Sequence, residues 1–251
     1  MKFAKGQANT GKKVRLKDCG VPQKRKIEGV GAFPITAKIW FIDTNIIAHW
    51  ILGNGGILKD LCSSQDLSNE FLDIYVKRYK PAIDFVDAIL TKKNDACKDE
   101  FYITSLTSNE LFSAIRDEIR SILFFRQGIP ISRWRDSRNN PDIPEEVYLE
   151  IYKKTLESFD FLFENHGITI IPEVSPWDDD QYWSIVSSIL FLIKESKTQD
   201  ATILTTSILN GADYFITLDK PLISSAKDML SKKYRLKLLN PTEGFQELKK
   251  R

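Results

Sequence analysis

The stretch KIWFIDTNIIAHW at residues 38–50 decides the fold. Its first five residues are mostly apolar and predict a buried strand, and residues 44–52 have the pattern of a helix. Asp43 lies between the two elements and is followed by the polar Thr44 and Asn45. A carboxylate at this junction either caps the helix or belongs to a site, and the remaining sequence bears on that choice.

Strands and helices alternate along the rest of the chain. The predicted strands are residues 38–42, 101–105, 168–171, 214–217 and 237–240. The predicted helices are residues 44–52, 69–93 with a kink at Pro81, 107–125, 145–165, 177–195 and 199–210. This alternation is typical of an α/β domain whose central sheet is mostly parallel.

The composition is that of an ordinary folded protein. The chain has 251 residues, of which 42% are apolar and 28% are charged. No apolar run approaches the ~18 residues of a membrane span, and the N-terminus lacks the apolar segment of a signal peptide. Three cysteines without a C-x-x-C pair argue against a zinc site and against a disulfide framework. We therefore expect a cytoplasmic protein that does not bind a membrane.

Basic residues are concentrated at the N-terminus. Residues 1–30 carry nine lysines and arginines against two acids, although the net charge of the chain is only +2. We interpret residues 1–37 as a basic, poorly ordered arm and residues 38–251 as a single domain. The arm either contacts a nucleic-acid backbone or is a solvated tail. Its candidate nucleic-acid contacts are Lys12, Lys13, Arg15, Lys24, Arg25 and Lys26.

Four acidic residues lie near the starts of predicted helices, and each has a purely structural explanation. Asp43 and Asp219 follow strands and are suited to capping the next helix. Glu110 fits the third helical position of a capping box that starts at Thr107. Asp200 lies in a first helical turn, where the helix dipole favours an acid.

Taken together, the same acids favour a site. In a parallel sheet the carboxyl ends of the strands lie along one edge, where ligands bind. Right-handed connections would bring Asp43, Glu110 and Asp219 towards one crevice at that edge. Neighbouring carboxylates repel one another, and a divalent cation that prefers oxygen ligands relieves the repulsion. The pattern therefore predicts a Mg²⁺ or Mn²⁺ site.

At these residues the chain resembles the PIN-domain nucleases. The matching stretches are FIDTNIIA at 41–48, TSLTSNELFSAI at 104–115, DATILTTSILNGADYFITLDKPL at 200–222 and KLLNPTEGFQEL at 237–248. The third stretch is the most specific, because an acid, a Gly-Ala-Asp turn, a strand and Thr-x-Asp follow one another within a short span. The resemblance covers residues 38–248 and implies a parallel sheet with helices on both faces.

The chain is longer than usual for that family. The additional length falls between Asp43 and Glu110 and between Glu110 and Asp200, and residues 1–37 have no counterpart. We expect the additional length to form extra helices within residues 53–100 and 125–195.

Carried over residue by residue, the resemblance implies the roles of the site residues. The acids Asp43, Glu110, Asp200 and Asp219 would bind one or two Mg²⁺ or Mn²⁺ ions and catalyse phosphodiester hydrolysis, most often of RNA. Supporting roles would fall to Thr44, Asn45 and Thr217, and Asp213 would be structural. The products would carry a 5′-phosphate and a 3′-hydroxyl.

The segment ISRWRDSRNN at 131–140 is a second candidate for nucleic-acid contact. Arginines beside an aromatic ring can grip a backbone and stack a base, and the candidates are Arg133, Trp134, Arg135 and Arg138. The alternative is a solvated loop whose Trp134 packs into the core. The nearby run Trp177-Asp178-Asp179-Asp180 predicts the start of a helix rather than a metal site.

Other functions compete with the nuclease. A catalytically silent RNA-binding or interaction module on the same fold is the main alternative. A dehalogenase-like phosphatase would need a second aspartate two residues after Asp43, where this chain has Asn45. As a nuclease, the protein would be either the toxin of a toxin–antitoxin pair or an RNA-processing or defence enzyme. The partners expected are single-stranded RNA, a small antitoxin in the toxin case, and a second copy in a homo-oligomer.

Overall fold

The computed structural model describes residues 37–54, 56–92, 99–134, 143–164, 167–194 and 196–250. Within this part of the chain, five strands form one sheet. They are β1 (Ile39–Ile42), β2 (Glu100–Thr104), β3 (Ile168–Ile171), β4 (Tyr214–Ile216) and β5 (Lys237–Leu239). All neighbouring pairs are parallel and the strand order is β3-β2-β1-β4-β5. The prediction of an α/β domain with a parallel sheet is confirmed.

The helices account for most of the remaining described chain. They are α1 (Thr44–Asn54), α2 (Ile57–Ser64), α3 (Asn69–Lys92), α4 (Ser105–Arg126), α5 (Glu145–Glu164), α6 (Tyr182–Leu192), α7 (Thr198–Leu209), α8 (Lys220–Tyr234) and α9 (Pro241–Lys249). Helices therefore occupy both intervals where extra helices were expected. Among the described residues, no helix combines the length and the apolar character needed to cross a bilayer.

An apolar layer covers each face of the sheet, and adjacent residues of β1 point into opposite layers. Trp40 is fully buried with α1, α3, α4 and α9, and its ring stacks on that of Tyr214 with centroids 4.1 Å apart. Phe41 packs on the other face with α6, α7 and α8. Because a strand alternates its side chains, an apolar residue at nearly every position of β1 is what a doubly covered strand requires.

The amino ends of β1 and β4 are joined by Asp213. Its Oδ2 accepts a hydrogen bond from the Ile39 backbone N–H at 3.1 Å, and its Oδ1 pairs with the Lys38 ammonium at 2.9 Å. Asp213 therefore has a structural role in joining two strands.

Two helix starts differ from the prediction. α4 begins at Ser105 and not at Thr107, because the Thr104 hydroxyl accepts a hydrogen bond from the Thr107 N–H at 3.2 Å and caps the helix earlier. α6 begins at Tyr182 and not at Trp177. The preceding acids form a turn in which Asp179 accepts a hydrogen bond from the Gln181 N–H at 2.8 Å.

Candidate active site

The candidate site lies at the carboxyl edge of the sheet, where β1 and β4 are neighbours. The chain leaves β1 through α1 on one face and leaves β4 through α8 on the other face. This divergence marks the topological switch point of the sheet, which is where parallel sheets bind ligands. Asp43 follows β1 directly, and Thr217 and Asp219 follow β4.

Asp43 is held by hydrogen bonds of its side chain and its backbone. Its Oδ2 accepts from the Thr217 hydroxyl at 2.6 Å, and its Oδ1 accepts from the Thr44 N–H at 2.9 Å. Its own N–H donates to the Ile216 carbonyl at 2.9 Å, which extends the β1–β4 pairing by one residue. The first acid is thus fixed between the end of β4 and the start of α1.

Glu110 is joined to the same region through Thr44. The buried Thr44 hydroxyl donates to Glu110 Oε2 at 3.0 Å, so the first residue of α1 contacts the second turn of α4. The capping-box explanation of Glu110 is wrong, because α4 starts earlier and Glu110 lies beyond its third helical position. The Glu110 carboxylate contacts the Thr44 hydroxyl, on the residue that follows Asp43.

Asp200 acts on Asp43 and Glu110 through its negative charge. The pKa of Asp43 is raised from 3.8 to about 6. Burial is the largest cause, the Thr217 and Thr44 hydrogen bonds lower the pKa in part, and the negative charges of Asp200 and Glu110 raise it. The pKa of Glu110 is also raised, mainly by burial and in part by Asp200. The negative charge of Asp200 therefore disfavours the ionised forms of both Asp43 and Glu110.

Two of the four acids also cap helices. Asp200 Oδ2 accepts from the Lys197 N–H at 2.9 Å at the start of α7. Asp219 Oδ1 accepts from the Leu222 N–H at 2.8 Å and caps α8, which has Pro221 in its first turn. The Asp219 N–H donates to the Thr217 hydroxyl at 3.0 Å, so Thr217 links Asp219 to Asp43. An acidic side chain can therefore cap a helix and also belong to the site.

The donor set fits a hard divalent cation. It consists of carboxylate and hydroxyl oxygens. The carboxylates are partly buried, and their negative charges repel one another. Within the described ranges, no three His, Cys, Asp or Glu side chains are already arranged as a metal-binding group. The residues that fit the ion are Asp43, Glu110 and Asp200, with Asp219 beyond the Thr217 hydroxyl. Asn45 is exposed in the first turn of α1.

Two residues at this edge were not identified from the sequence. Glu173 follows β3, and its Oε1 accepts a hydrogen bond from the Leu106 N–H at the start of α4. Lys197 precedes α7, and its positive charge lowers the pKa of Glu110 against the larger effect of burial. The position of Glu173 just after a strand could have identified it from the sequence. A single lysine before a helix, such as Lys197, gives no comparable signal.

The arginine-rich segment lies away from the acids. A short 3-10 turn spans Ile131–Arg133, and Arg133 is exposed. The Trp134 indole stacks on Phe124 and donates to the Ile129 carbonyl at 2.7 Å, which agrees with the alternative that Trp134 packs into the protein. α4 continues for about 24 Å beyond Glu110, so this segment lies near its opposite end.

The remaining nucleic-acid candidates lie outside the described residues. They are Arg135 and Arg138 in the loop and Lys12, Lys13, Arg15, Lys24, Arg25 and Lys26 in the arm.

Comparisons of the whole chain with known proteins found no relative. No protein-family model, no curated protein and no solved structure matches it.

Proposed function

We propose that the protein is a metal-dependent nuclease of the PIN-domain type that hydrolyses RNA phosphodiester bonds. The observation that carries the proposal is the hydrogen-bonded arrangement of Asp43, Thr44 and Glu110 at the switch point of a parallel sheet, where the charge of Asp200 raises the pKa of both acids. Carboxylates that raise one another's pKa are costly for the fold, and a bound cation offsets that cost.

The proposed cofactor is Mg²⁺ or Mn²⁺, one or two ions, held by Asp43, Glu110 and Asp200 with Asp219 beside them. When bound, such an ion polarises a phosphodiester and makes a water molecule acidic enough to attack phosphorus at neutral pH. This chemistry needs no serine, cysteine or histidine nucleophile.

The chain's own residues position the acids. Thr217 and the Thr44 N–H orient the two oxygens of Asp43, and the Thr44 hydroxyl orients Glu110. These bonds fix the carboxylates before substrate arrives, which lowers the reorganisation that the reaction requires. Lys197 supplies a positive charge near Glu110 that favours the approach of a phosphate.

The test is a cleavage assay on single-stranded RNA with Mg²⁺ or Mn²⁺. Asp43→Asn keeps the size of the side chain but removes the charge, and we expect the rate to fall at least about a hundredfold. Asp178→Asn, an exposed acid outside the site, is the matched control and should leave the rate unchanged. Mn²⁺ binding by calorimetry should weaken with the same variant. Full activity of Asp43→Asn would rule out this mechanism.

A catalytically silent RNA-binding module is the second candidate. It is favoured by the engagement of Asp200 and Asp219 in helix caps and by the lack of a preformed metal group among the described residues. This candidate predicts RNA binding without cleavage, together with Asp43→Asn binding RNA as well as the wild type. A crystal soaked in Mn²⁺ separates the two, because the nuclease predicts anomalous signal among the acids.

The biological setting is a narrower proposal. As a toxin, the protein would be inhibited by a small antitoxin that covers the acidic crevice. As a processing or defence enzyme, it would act without such a partner. A small open reading frame beside the gene, whose product co-purifies with this chain, would favour the toxin.

A further inference from the structure

Helix α6 exposes an apolar surface. Its eleven residues, YWSIVSSILFL, include no charged side chain. One face, including Ile185 and Ile189, is buried with α7, while Trp183 is 59% exposed and Phe191 is 88% exposed. A folded chain rarely leaves such a contiguous apolar surface in water unless it is an interaction site.

The exposed area is suited to a stable interface. Trp183 and Phe191 are joined by Leu190 and Leu192 on α6 and by Trp177, 88% exposed, in the preceding turn. The three aromatic side chains alone offer on the order of 500 Å². A standard protein interface buries about 800 Å² on each partner, so this surface supplies most of the apolar centre of one.

The charges flanking α6 are arranged symmetrically. Asp180 and its neighbouring acids precede the helix, and the exposed Lys194 follows it. Ser187 is midway between Asp180 and Lys194, and also midway between Trp183 and Phe191. Two such helices packed antiparallel about Ser187 would place each acid opposite a lysine and each Trp183 opposite a Phe191.

We infer that α6 forms the two-fold interface of a homodimer, packed antiparallel against α6 of a second copy with Ser187 at the axis. A two-fold interface pairs a surface with itself, as this symmetry requires. The Ser187 hydroxyl already donates to the Trp183 carbonyl at 2.6 Å, and that of Ser188 donates to the Ser184 carbonyl at 2.7 Å. Both hydroxyl donors are therefore satisfied within α6, and the Lys233 ammonium on α8, which donates to the Ser188 hydroxyl oxygen at 2.9 Å, flanks this face.

A second copy fits this face better than the charged alternatives. The basic segment at residues 1–36 and a nucleic acid both bring charges that an uncharged helix does not neutralise. A second copy brings the same uncharged surface and complementary ends.

The first experiment measures the mass of the full chain by sedimentation. We expect the wild type at twice the 28.9 kDa chain mass. Trp183→Asp should weaken association about a hundredfold or more, since it places a charge in each half of the apolar centre. Ile74→Asp, on α3 and also 59% exposed, is the matched control and should remain dimeric. A monomeric wild type, or a dimeric Trp183→Asp, would overturn the inference.

The second experiment tests the register. Asp180→Lys should weaken the dimer, and adding Lys194→Asp should restore it, because the two positions face each other across the axis. On mild oxidation, Ser187→Cys should form at least about tenfold more disulfide-linked dimer than the exposed control Ser224→Cys, since only residues near the axis meet their own copies. Failure of the charge swap to restore association, or equal cross-linking at both positions, would show that another surface mediates the contact.

Discussion

Asp43 is the residue at which folding stability and chemistry conflict. Burial and the charges of Asp200 and Glu110 favour its neutral form, while the proposed reaction requires its carboxylate. An acid whose pKa is higher in the folded state than in the unfolded state lowers stability as pH rises between those two values. The fold therefore retains a charge that it would be more stable without.

Asp43→Asn should consequently stabilise the apo protein in a pH-dependent way. The pKa of Asp43 rises from 3.8 to about 6 on folding, which corresponds to a free-energy penalty of up to about 3 kcal/mol above pH 6. The variant should exceed the wild type by up to this amount at pH 8, and the difference should disappear below about pH 4. Urea unfolding at several pH values measures it, with Asp178→Asn as the control. A destabilised Asp43→Asn at pH 8 would contradict the prediction.

Thr217 should set the pH at which the site becomes active. Its hydroxyl donates to Asp43 and lowers the pKa of that carboxyl against the larger effect of burial. Thr217→Val removes the bond, so the acid limb of the pH–rate profile should move to higher pH. Thr217→Ser keeps the hydroxyl and should restore the wild-type profile. A Val variant with reduced activity but an unmoved acid limb would show that Thr217 acts only in packing.

At the scale of elements, α9 is fitted closely onto the sheet and α3. A Cβ atom added at Gly244 would lie 3.0 Å from Ile216 Cδ1 and 3.0 Å from Phe85 Cε2, and both side chains are fully buried. Gly244 thus permits a close approach that a larger residue would prevent.

Gly244→Ala should therefore destabilise the protein by about 1–2 kcal/mol, although alanine favours helices by ~1 kcal/mol over glycine. Gln246→Ala, exposed on the same helix, is the control and should be neutral or slightly stabilising. Thermal unfolding followed by circular dichroism measures both. A stabilised Gly244→Ala would mean that α9 shifts to accommodate the methyl group at little cost.

Some helices and strands could be predicted from local sequence patterns, and others could not. The strand at Ile168–Ile171 and the helix at Asn69–Lys92 were predicted to within one residue, because an apolar run and a long amphipathic pattern are local signals. The helix at Ile57–Ser64 was missed, since it is short and follows a glycine-rich turn. Pro81 was expected to kink a helix that the structure continues through that residue.

The site was less accessible to prediction, because it depends on contacts between distant parts of the chain. The sequence indicated that acids follow strands, yet the link from Thr44 to Glu110 requires the packing of α1 against α4. The role of Glu173 depends on where α4 begins, and that start was placed two residues late. Side-chain type and position could be inferred, whereas hydrogen-bond partners could not.

At the scale of the whole molecule, the sheet order places the earliest strand in the middle. β1 pairs with β2 on one side and with β4 on the other, and two apolar layers meet at its two faces. The chain between β1 and β4 forms β2, β3 and the helices α1 to α7, so the pairing of β1 with β4 joins distant parts of the sequence. Such topologies fold more slowly than helical bundles of similar stability.

The bond between Thr217 and Asp43 spans 174 positions of the chain. A ribosome must therefore synthesise most of the polypeptide, and release β4 from its exit tunnel, before that contact exists. At ~5–20 residues per second, the nascent chain spends roughly ten seconds or more with Asp43 emerged but without its partner. A destructive activity that depends on this contact would be withheld from each copy until the synthesis of that copy is nearly complete.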